Sequence, residues 1–270
     1  MAIATIEFKS AALMRNVSFR AILPSDFSTD AGPYKCLYFL NGYGASSMEM
    51  ATYLSFRKHC ELKRIAVVLP DGENSFYVDH PERNSNFSAF IGEELVRVSR
   101  ALLPLSHRRE DTFIGGISMG GYGAVYNGIK YRDTFSKIVS MSGALDAADL
   151  YFRHQETGFT PEEFNAHFYS RDRYENSEMD LPGAIAGCGE DRPALFFCCG
   201  EQDSLTGGPN REMERFLTEK GIPHTFLWGD GDHDLEYWEG MMDPAFSFLA
   251  DIPTGSRARL TLDIVRENGL

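Results

Sequence analysis

The sequence lacks any long hydrophobic run and any strongly basic stretch, and these two absences exclude several classes of protein. None of its 270 residues falls in an apolar segment of about 18 residues, so no membrane-spanning helix is predicted. Lys and Arg total 26 against 39 Asp and Glu, which gives a formal net charge of −13. Such a chain repels phosphate backbones and anionic lipid surfaces, so neither nucleic acid nor a membrane is a predicted partner.

Cysteine is scarce, and its spacing fits neither a disulfide framework nor a zinc site. The cysteines are odd in number and form no CxxC pair: Cys36, Cys60, Cys188, Cys198 and Cys199. The N-terminal residues also lack the basic segment and apolar run of a secretory signal, although prior removal of a signal would leave the same sequence. We therefore predict a reduced, cytoplasmic protein without a metal site.

Short apolar runs alternate with helical patterns along the chain. Two stretches between Thr5 and Leu23 alternate apolar and polar residues, which predicts an antiparallel edge hairpin with one wet face. Six later runs are almost wholly apolar, as in strands buried on both faces: CLYFL (36–40), IAVVL (65–69), TFI (112–114), IVSM (138–141), ALFFCC (194–199) and TFLW (225–228). Apolar steps of three and four from Phe87 to Leu102 predict a helix that packs on a sheet. The prediction is an α/β fold with a mostly parallel central sheet, an antiparallel N-terminal hairpin and helices on both faces.

No internal repeat or flexible linker divides the chain, so we predict a single domain over residues 1–250. An acidic and aromatic segment of about 147–192, with Leu150 to Glu190 at its centre, lacks a strong period and falls between two core strands. We interpret it as a lid-like insertion, part helix and part loop, with a plain surface excursion as the alternative. Residues 251–270 contain a Gly-Ser junction and are interpreted as a tail, either native or partly added by cloning.

A glycine-flanked serine follows one of the predicted strands. The run Gly116-Ile117-Ser118-Met119-Gly120 connects the TFI strand to a helical pattern and has the GxSxG spacing of a nucleophile elbow. A serine on such a strained turn needs small residues two positions before and after it. The helix start beside it favours an anion, so Ser118 is the predicted nucleophile.

A serine nucleophile needs a histidine base and an acid that orients the histidine, and both residue types occur downstream at strand ends. Asp203 follows ALFFCC, and His233 lies in the flexible turn after TFLW. Because each would lie beyond a separate strand at one edge of the sheet, we predict a triad of Ser118, Asp203 and His233. Glu201 is the competing acid by position. The residues beside the histidine are interpreted as turn formers: Asp230, Asp232 and Asp234.

Acyl transfer at a serine also needs two backbone N–H donors for the tetrahedral oxyanion. One donor is predicted at Met119, directly after the nucleophile. The second is expected in the Gly-rich loop from Asn41 to Ser46 that follows CLYFL, at Tyr43. A simple tight turn between strand and helix is the alternative interpretation of that loop.

Several stretches together resemble the tributyrin esterase family, part of the esterase D group with S-formylglutathione hydrolases, feruloyl esterases and mycolyltransferases. They occur in order between Ile6 and Leu249: VSFRAILPSDF, LYFLNGYGASSMEM, VVLPDGENSFYVD, FIGEELVRVSRALLP, REDTFIGGISMGGYGAVYNGIK, IVSMSGALD, CCGEQD and GDGDHDLEYWEG. The resemblance implies an α/β-hydrolase fold. It also implies a triad of Ser118, Asp203 and His233 with oxyanion donors at Tyr43 and Met119, which agrees with the prediction from the local patterns. One position departs, because members of the family commonly carry histidine where this chain has Asn41 before Gly42.

These observations predict a serine carboxylesterase that hydrolyses short-chain acyl esters of small molecules through an acyl-enzyme, without a cofactor. Met141, Tyr237 and Trp238 are candidate walls of its pocket, with plain core positions as the alternative. Other activities remain open: an S-formylglutathione hydrolase-like thioesterase, a feruloyl or acetyl sugar esterase, an acyltransferase or a non-catalytic binding protein. The S-formylglutathione hydrolase subgroup usually has a cysteine in the early loop, and none follows Asn41-Gly42 here. A homodimer or homotetramer is left open as well.

Overall fold

The computed structural model describes residues 2–24, 33–153 and 159–257, and a mixed sheet of eight strands lies at its centre. The strands within these residues are β1 (Ala2–Ser10), β2 (Arg15–Leu23), β3 (Lys35–Leu40), β4 (Ile65–Pro70), β5 (Asp79–His80), β6 (Ser85–Asn86), β7 (Thr112–Ile117), β8 (Lys137–Met141), β9 (Ala194–Gly200) and β10 (Thr225–Gly229). The sheet order is β1-β2-β4-β3-β7-β8-β9-β10, while β5 and β6 form a separate ribbon. Within the eight-stranded sheet the β1–β2 and β2–β4 pairs are antiparallel and the other pairs are parallel, which confirms the predicted sheet and edge hairpin.

Helices cover both faces of this sheet. They are α1 (Ser47–Tyr53), α2 (Phe56–Lys63), α3 (Phe87–Ala89), α4 (Leu95–Leu102), α5 (Met119–Lys130), α6 (Ala147–Arg153), α7 (Pro161–Phe168), α8 (Arg171–Glu175), α9 (Leu181–Gly187), α10 (Gly207–Glu219) and α11 (Leu235–Ala250). No helix within the described ranges has both the length and the apolar character needed to cross a membrane. The α/β-hydrolase fold class predicted from the sequence is confirmed.

The helix predicted from Phe87 to Leu102 forms, but it contains a π-helical turn over Phe90–Glu94 between α3 and α4. This turn carries Glu94, whose carboxylate accepts hydrogen bonds from the Ser10 hydroxyl at 2.5 Å and the Ala11 amide at 2.8 Å. These bonds fasten the β1–β2 turn to the helix. The apolar periodicity could not reveal these bonds, because Ser10 and Ala11 are more than 80 residues away from Glu94 in the sequence.

The core has two layers because successive side chains of a buried strand point to opposite faces. On β3, Tyr38 and Leu40 pack in the layer that includes α4, α5 and α10. Leu37 and Phe39 pack in the other layer, against α1, α2 and α11. The continuous apolar runs of the central strands are therefore required by burial on both sides.

The segment between β8 and β9 folds into helices α6 to α9 within the described residues. Residues 154–158 of the predicted insertion lie outside the described residues, as do residues 258–270 of the predicted tail. The start of the tail is attached to the domain, since the buried Lys63 ammonium donates hydrogen bonds to the Ser256 carbonyl and, at 3.0 Å, to Ser247 Oγ.

Candidate active site

Ser118 lies on a sharp turn between β7 and α5, with backbone angles φ 52° and ψ −120°. A Cβ on Gly116 would lie 2.3 Å from the Gly120 carbonyl oxygen, and a Cβ on Gly120 would lie 2.1 Å from the Leu40 carbonyl oxygen. Side chains at these two positions are therefore excluded by the backbone itself. The strained serine is held by its own amide, which donates to the Met141 carbonyl of the next strand at 3.0 Å.

The structure brings His233 within hydrogen-bond distance of both Ser118 and Asp203, the other two predicted triad residues. His233 Nε2 lies 2.9 Å from Ser118 Oγ, and His233 Nδ1 lies 2.9 Å from Asp203 Oδ2. A carboxylate can only accept, so Nδ1 carries the proton and Nε2 presents its lone pair to the serine hydroxyl. This is the tautomer in which the histidine can remove the Ser118 proton.

The Asp203 carboxylate is buried and accepts several hydrogen bonds besides that from the histidine. The Thr206 amide donates to Oδ1 at 2.7 Å, the Leu205 amide donates to it at 3.1 Å, and the Thr206 hydroxyl donates to Oδ2 at 2.8 Å. Burial would raise the pKa of Asp203, but the hydrogen bond and charge of His233, with the bonds from Thr206, lower it from 3.8 to about 2. The carboxylate is therefore ionised at any pH near neutrality.

The Thr206 hydroxyl also belongs to this site, and the sequence pattern alone did not point to it. It lies 2.8 Å from Asp203 Oδ2 and 3.4 Å from His233 Nδ1, so it contacts both partners of the imidazole–carboxylate pair. The available signal was a threonine three residues after an aspartate at the start of a helix, the spacing of a local side-chain-to-backbone cap. That spacing is common in proteins. It points to the site only because Asp203 itself lies beside His233.

The competing candidates lie apart from this hydrogen-bonded series. The side chain of Glu201, the competing acid, is exposed. Of the other histidines, His224 is nearest in sequence to His233, and its Nδ1 faces the Ile222 carbonyl at 2.7 Å. Asp234 caps α11 by accepting from the Tyr237 amide at 2.9 Å, as expected of a residue that shapes the turn.

Asp203→Asn is expected to lower kcat by about 10⁴-fold, because an amide no longer selects the Nδ1-protonated tautomer or balances the imidazolium charge. The matched control is Glu201→Gln, which removes one carboxylate from the same turn and is expected to retain activity. Steady-state kinetics on p-nitrophenyl acetate measures both. An inactive Glu201→Gln beside a nearly normal Asp203→Asn would place the acid two residues earlier.

The loop after β3 passes close to Ser118, since a Cβ on Gly42 would lie 3.4 Å from Ser118 Cβ. Asn41, at the position where the family commonly has histidine, donates from Nδ2 to the carbonyls of Gly42 at 2.9 Å and Ala45 at 2.8 Å. The buried side-chain amide of Asn41 thus connects two carbonyls of the loop, at the position where the family commonly has histidine.

The two predicted oxyanion donors lie on separate elements beside Ser118. The Tyr43 amide donates to no acceptor within the described residues, although the Ala45 amide of the same loop is occupied by the Gly42 carbonyl at 3.3 Å. Met119 is the first residue of α5, where the helix supplies no acceptor for its amide. Within the part of the chain that the structure describes, neither amide therefore has an acceptor that would compete with the predicted oxyanion role.

A cavity of about 300 Å³ opens over Ser118 and His233, and its lining is mainly apolar. The lining residues are Gly42, Tyr43, Ala45, Glu49, Met50, Phe76, Ile117, Ser118, Met119, Ala144, Leu150, Phe159, Leu205, Thr206, His233, Leu235 and Trp238. Trp238 thus lines the cavity and packs edge-on to the His233 ring, with the two ring centroids 5.1 Å apart. Met141 and Tyr237, the other two candidate walls, are buried in the core instead.

The fold and the serine, histidine and aspartate of this site define a serine hydrolase. The family model described as "Putative esterase" matches residues 10–249. Over 274 aligned residues the chain is 33% identical to an acetyl esterase of Caldicellulosiruptor saccharolyticus, an alignment that covers 93% of this chain and 99% of the relative. The chain therefore belongs to this esterase family and is a carboxylic ester hydrolase, which confirms the resemblance to the esterase group.

Two solved structures from Staphylococcus aureus are similar over nearly their whole length. The fluorophosphonate-binding serine hydrolase F, FphF, superimposes with a TM-score of 0.80 and 27% identity, covering 92% of this chain and 98% of that one. An S-formylglutathione hydrolase gives a TM-score of 0.80 and 26% identity over the same shares. Both support a serine esterase.

Proposed function

We propose that the protein hydrolyses short-chain acyl esters of small neutral alcohols, with Ser118 as nucleophile, His233 as base and Asp203 as the acid that orients it. The observation that carries the proposal is the hydrogen-bonded series from Ser118 through His233 to Asp203, which opens into an apolar cavity of about 300 Å³. Such a cavity is at the small end of ligand pockets, which range over about 300–1,000 Å³.

In the proposed mechanism, His233 Nε2 removes the Ser118 proton as the serine oxygen attacks the ester carbonyl. The amides of Tyr43 and Met119 donate to the oxyanion that forms. His233 then donates the same proton to the leaving alcohol, which leaves an acyl group on Ser118. Water, deprotonated by Nε2, attacks the acyl-enzyme, and the carboxylic acid departs as the serine regains its proton.

The proposed acyl preference can be measured with p-nitrophenyl esters from acetate to decanoate. Each buried methylene contributes about 0.8 kcal/mol, so kcat/KM is expected to be highest with about two to four acyl carbons and to fall once the chain meets the walls of the cavity. Leu150 and Phe159 from the insertion form part of these walls. A rise in kcat/KM that continued through decanoate, or activation at an oil surface, would contradict the proposal.

The charge of the cavity favours neutral esters over the thioester alternative. Glu49 is the one acidic side chain among the described residues that line it, and the whole chain has a net charge of −13. Both repel the carboxylates of a glutathione thioester. The test compares S-formylglutathione with acetate esters as substrates. A kcat/KM far higher for S-formylglutathione would favour the thioesterase activity for which the Staphylococcus aureus relative is named.

We also propose that the described residues of the segment 147–192 form a wall of the pocket and that the enzyme is cytoplasmic. Phe159 packs edge-on against Tyr43 of the loop after β3, with ring centroids 5.4 Å apart, and this contact ties the insertion to the site. The five cysteines form no disulfide, and all of them lie within the described ranges, which supports a reducing compartment.

A further inference from the structure

The loop that follows β4 packs against the loop that follows β3, and its backbone is strained. We name residues Asp71–Tyr77 the brace loop and residues Asn41–Ser46, which precede α1, the oxyanion loop. Four non-glycine residues of the brace loop have positive φ values between 47° and 59°: Glu73, Asn74, Phe76 and Tyr77. Non-glycine residues rarely adopt this backbone conformation. It persists where surrounding contacts hold it in place, often at functional sites.

Hydrogen bonds join the brace loop to Asn41, to Gly44 and to the start of α1. At one end the Ser47 amide donates to Asp71 Oδ1 at 2.6 Å, and in the middle the Gly44 amide donates to Asn74 Oδ1 at 2.6 Å. At the other end the Gly72 amide donates to Asn41 Oδ1 at 3.0 Å. The Tyr77 hydroxyl donates to the Asn41 carbonyl oxygen at 3.0 Å, directly before Gly42.

Tyr77 contacts the helix behind the nucleophile as well as the oxyanion loop. Its ring is fully buried against Gly123 of α5, where a Cβ would lie 2.3 Å from the ring. Its carbonyl accepts a hydrogen bond from Asn127 Nδ2 of the same helix at 3.2 Å. Burial, with the charge of Asp71, raises the pKa of Tyr77 well above its usual range, so the hydroxyl remains a donor.

We propose that Tyr77 is a positioning residue that sets the separation of the two oxyanion donors. The Met119 amide opens α5, the Tyr43 amide belongs to the oxyanion loop, and Tyr77 is bonded or packed against both elements. Donors aimed at a developing oxyanion lose effect when they are displaced, whereas ground-state binding of the ester changes little. The proposal rests on the proposed esterase function and adds a residue that touches neither the substrate nor the triad.

The first test compares Tyr77→Phe with Tyr122→Phe. Both hydroxyls are fully buried and donate to a backbone carbonyl, but the Tyr122 hydroxyl donates to Met179 at 2.9 Å, away from the oxyanion loop. On p-nitrophenyl acetate, Tyr77→Phe is expected to lower kcat about ten-fold with KM unchanged, as small displacements of reacting groups do. Tyr122→Phe is expected to keep the wild-type kcat, even if its melting temperature falls as much as that of Tyr77→Phe.

A pair of ketone inhibitors separates oxyanion stabilisation from pocket shape. A short-chain trifluoromethyl ketone adds to Ser118 and places an oxyanion between the two amides, whereas the parent methyl ketone binds mainly as the intact carbonyl compound. Tyr77→Phe is expected to raise the inhibition constant of the trifluoromethyl ketone by the same factor as it lowers kcat. The constant for the methyl ketone is expected to stay at the wild-type value.

Equal kcat and equal trifluoromethyl ketone affinity in Tyr77→Phe and wild type would overturn the inference while leaving the esterase proposal intact. The esterase proposal fails separately, if the wild-type protein hydrolyses no ester. Should Tyr77→Phe not fold, the pair Asn74→Gly and Asn74→Asp replaces it, because glycine suits the φ of 55° but removes the acceptor for Gly44. Loss of kcat in the glycine variant with retention in the aspartate variant supports the role of the brace loop, and wild-type kcat in both overturns it.

Discussion

Ser118→Ala is expected to lower kcat/KM for p-nitrophenyl acetate by about a million-fold, the cost of removing a serine nucleophile from such a triad. In the proposed mechanism the Ser118 hydroxyl supplies the attacking oxygen, which lies 2.9 Å from His233 Nε2, so its removal eliminates the acyl-enzyme. The strained backbone at φ 52° depends on its hydrogen bond to Met141 and on the neighbouring glycines rather than on the side chain. The fold and melting temperature should therefore change little.

The control for this variant is Ser140→Ala, in the adjacent strand β8. Ser140 is fully buried, and its hydroxyl has no hydrogen-bond partner among the described residues, so its removal should not affect the chemistry. A fluorophosphonate probe reports the nucleophile directly: it should label wild type and Ser140→Ala but not Ser118→Ala. Labelling of Ser118→Ala, or activity near the wild-type value, would remove Ser118 from the mechanism.

His233→Ala is expected to cause a loss of similar size, because a serine hydroxyl without its base is a poor nucleophile near neutral pH. Members of a triad act as a unit, so the double variant with Ser118→Ala should be no slower than either single variant. His224→Ala is the matched control, since its ring Nδ1 faces the Ile222 carbonyl rather than the site. Steady-state kinetics on p-nitrophenyl acetate measures all of these variants. Greater damage from His224→Ala would assign the base to the start of β10 instead of the turn after it.

Local sequence patterns carried enough information to locate the three residues of the proposed triad. Each follows an apolar run, and the parallel arrangement of such strands brings their carboxyl ends to one edge of the sheet. The serine is further marked by glycines whose positions the backbone approach requires. The order of central strands, by contrast, could not be read from the runs, because any two fully buried strands have similar sequences.

The groups that hold the site in shape were not predictable in the same way. Thr206 contacts Asp203 and His233, and Tyr77 contacts Asn41, but such contacts depend on which loops the fold places together. The bond between Ser10 and Glu94 belongs to the same class, because the hairpin that carries Ser10 is far from Glu94 in the sequence. Hydrogen bonds between residues far apart in the chain produce no periodic pattern in the sequence.

By itself, the sequence determined the α/β class, the edge hairpin and the positions of Ser118, Asp203 and His233, because burial on both faces and steric exclusion at the elbow act over a few neighbouring residues. The tertiary structure decided the shape of the cavity and the brace behind the oxyanion loop. It placed Trp238 in the cavity wall and Met141 in the core, although both are apolar residues near strand or helix ends. The physical reason is that packing selects between chemically similar side chains by their position in three dimensions, which residue type alone does not specify.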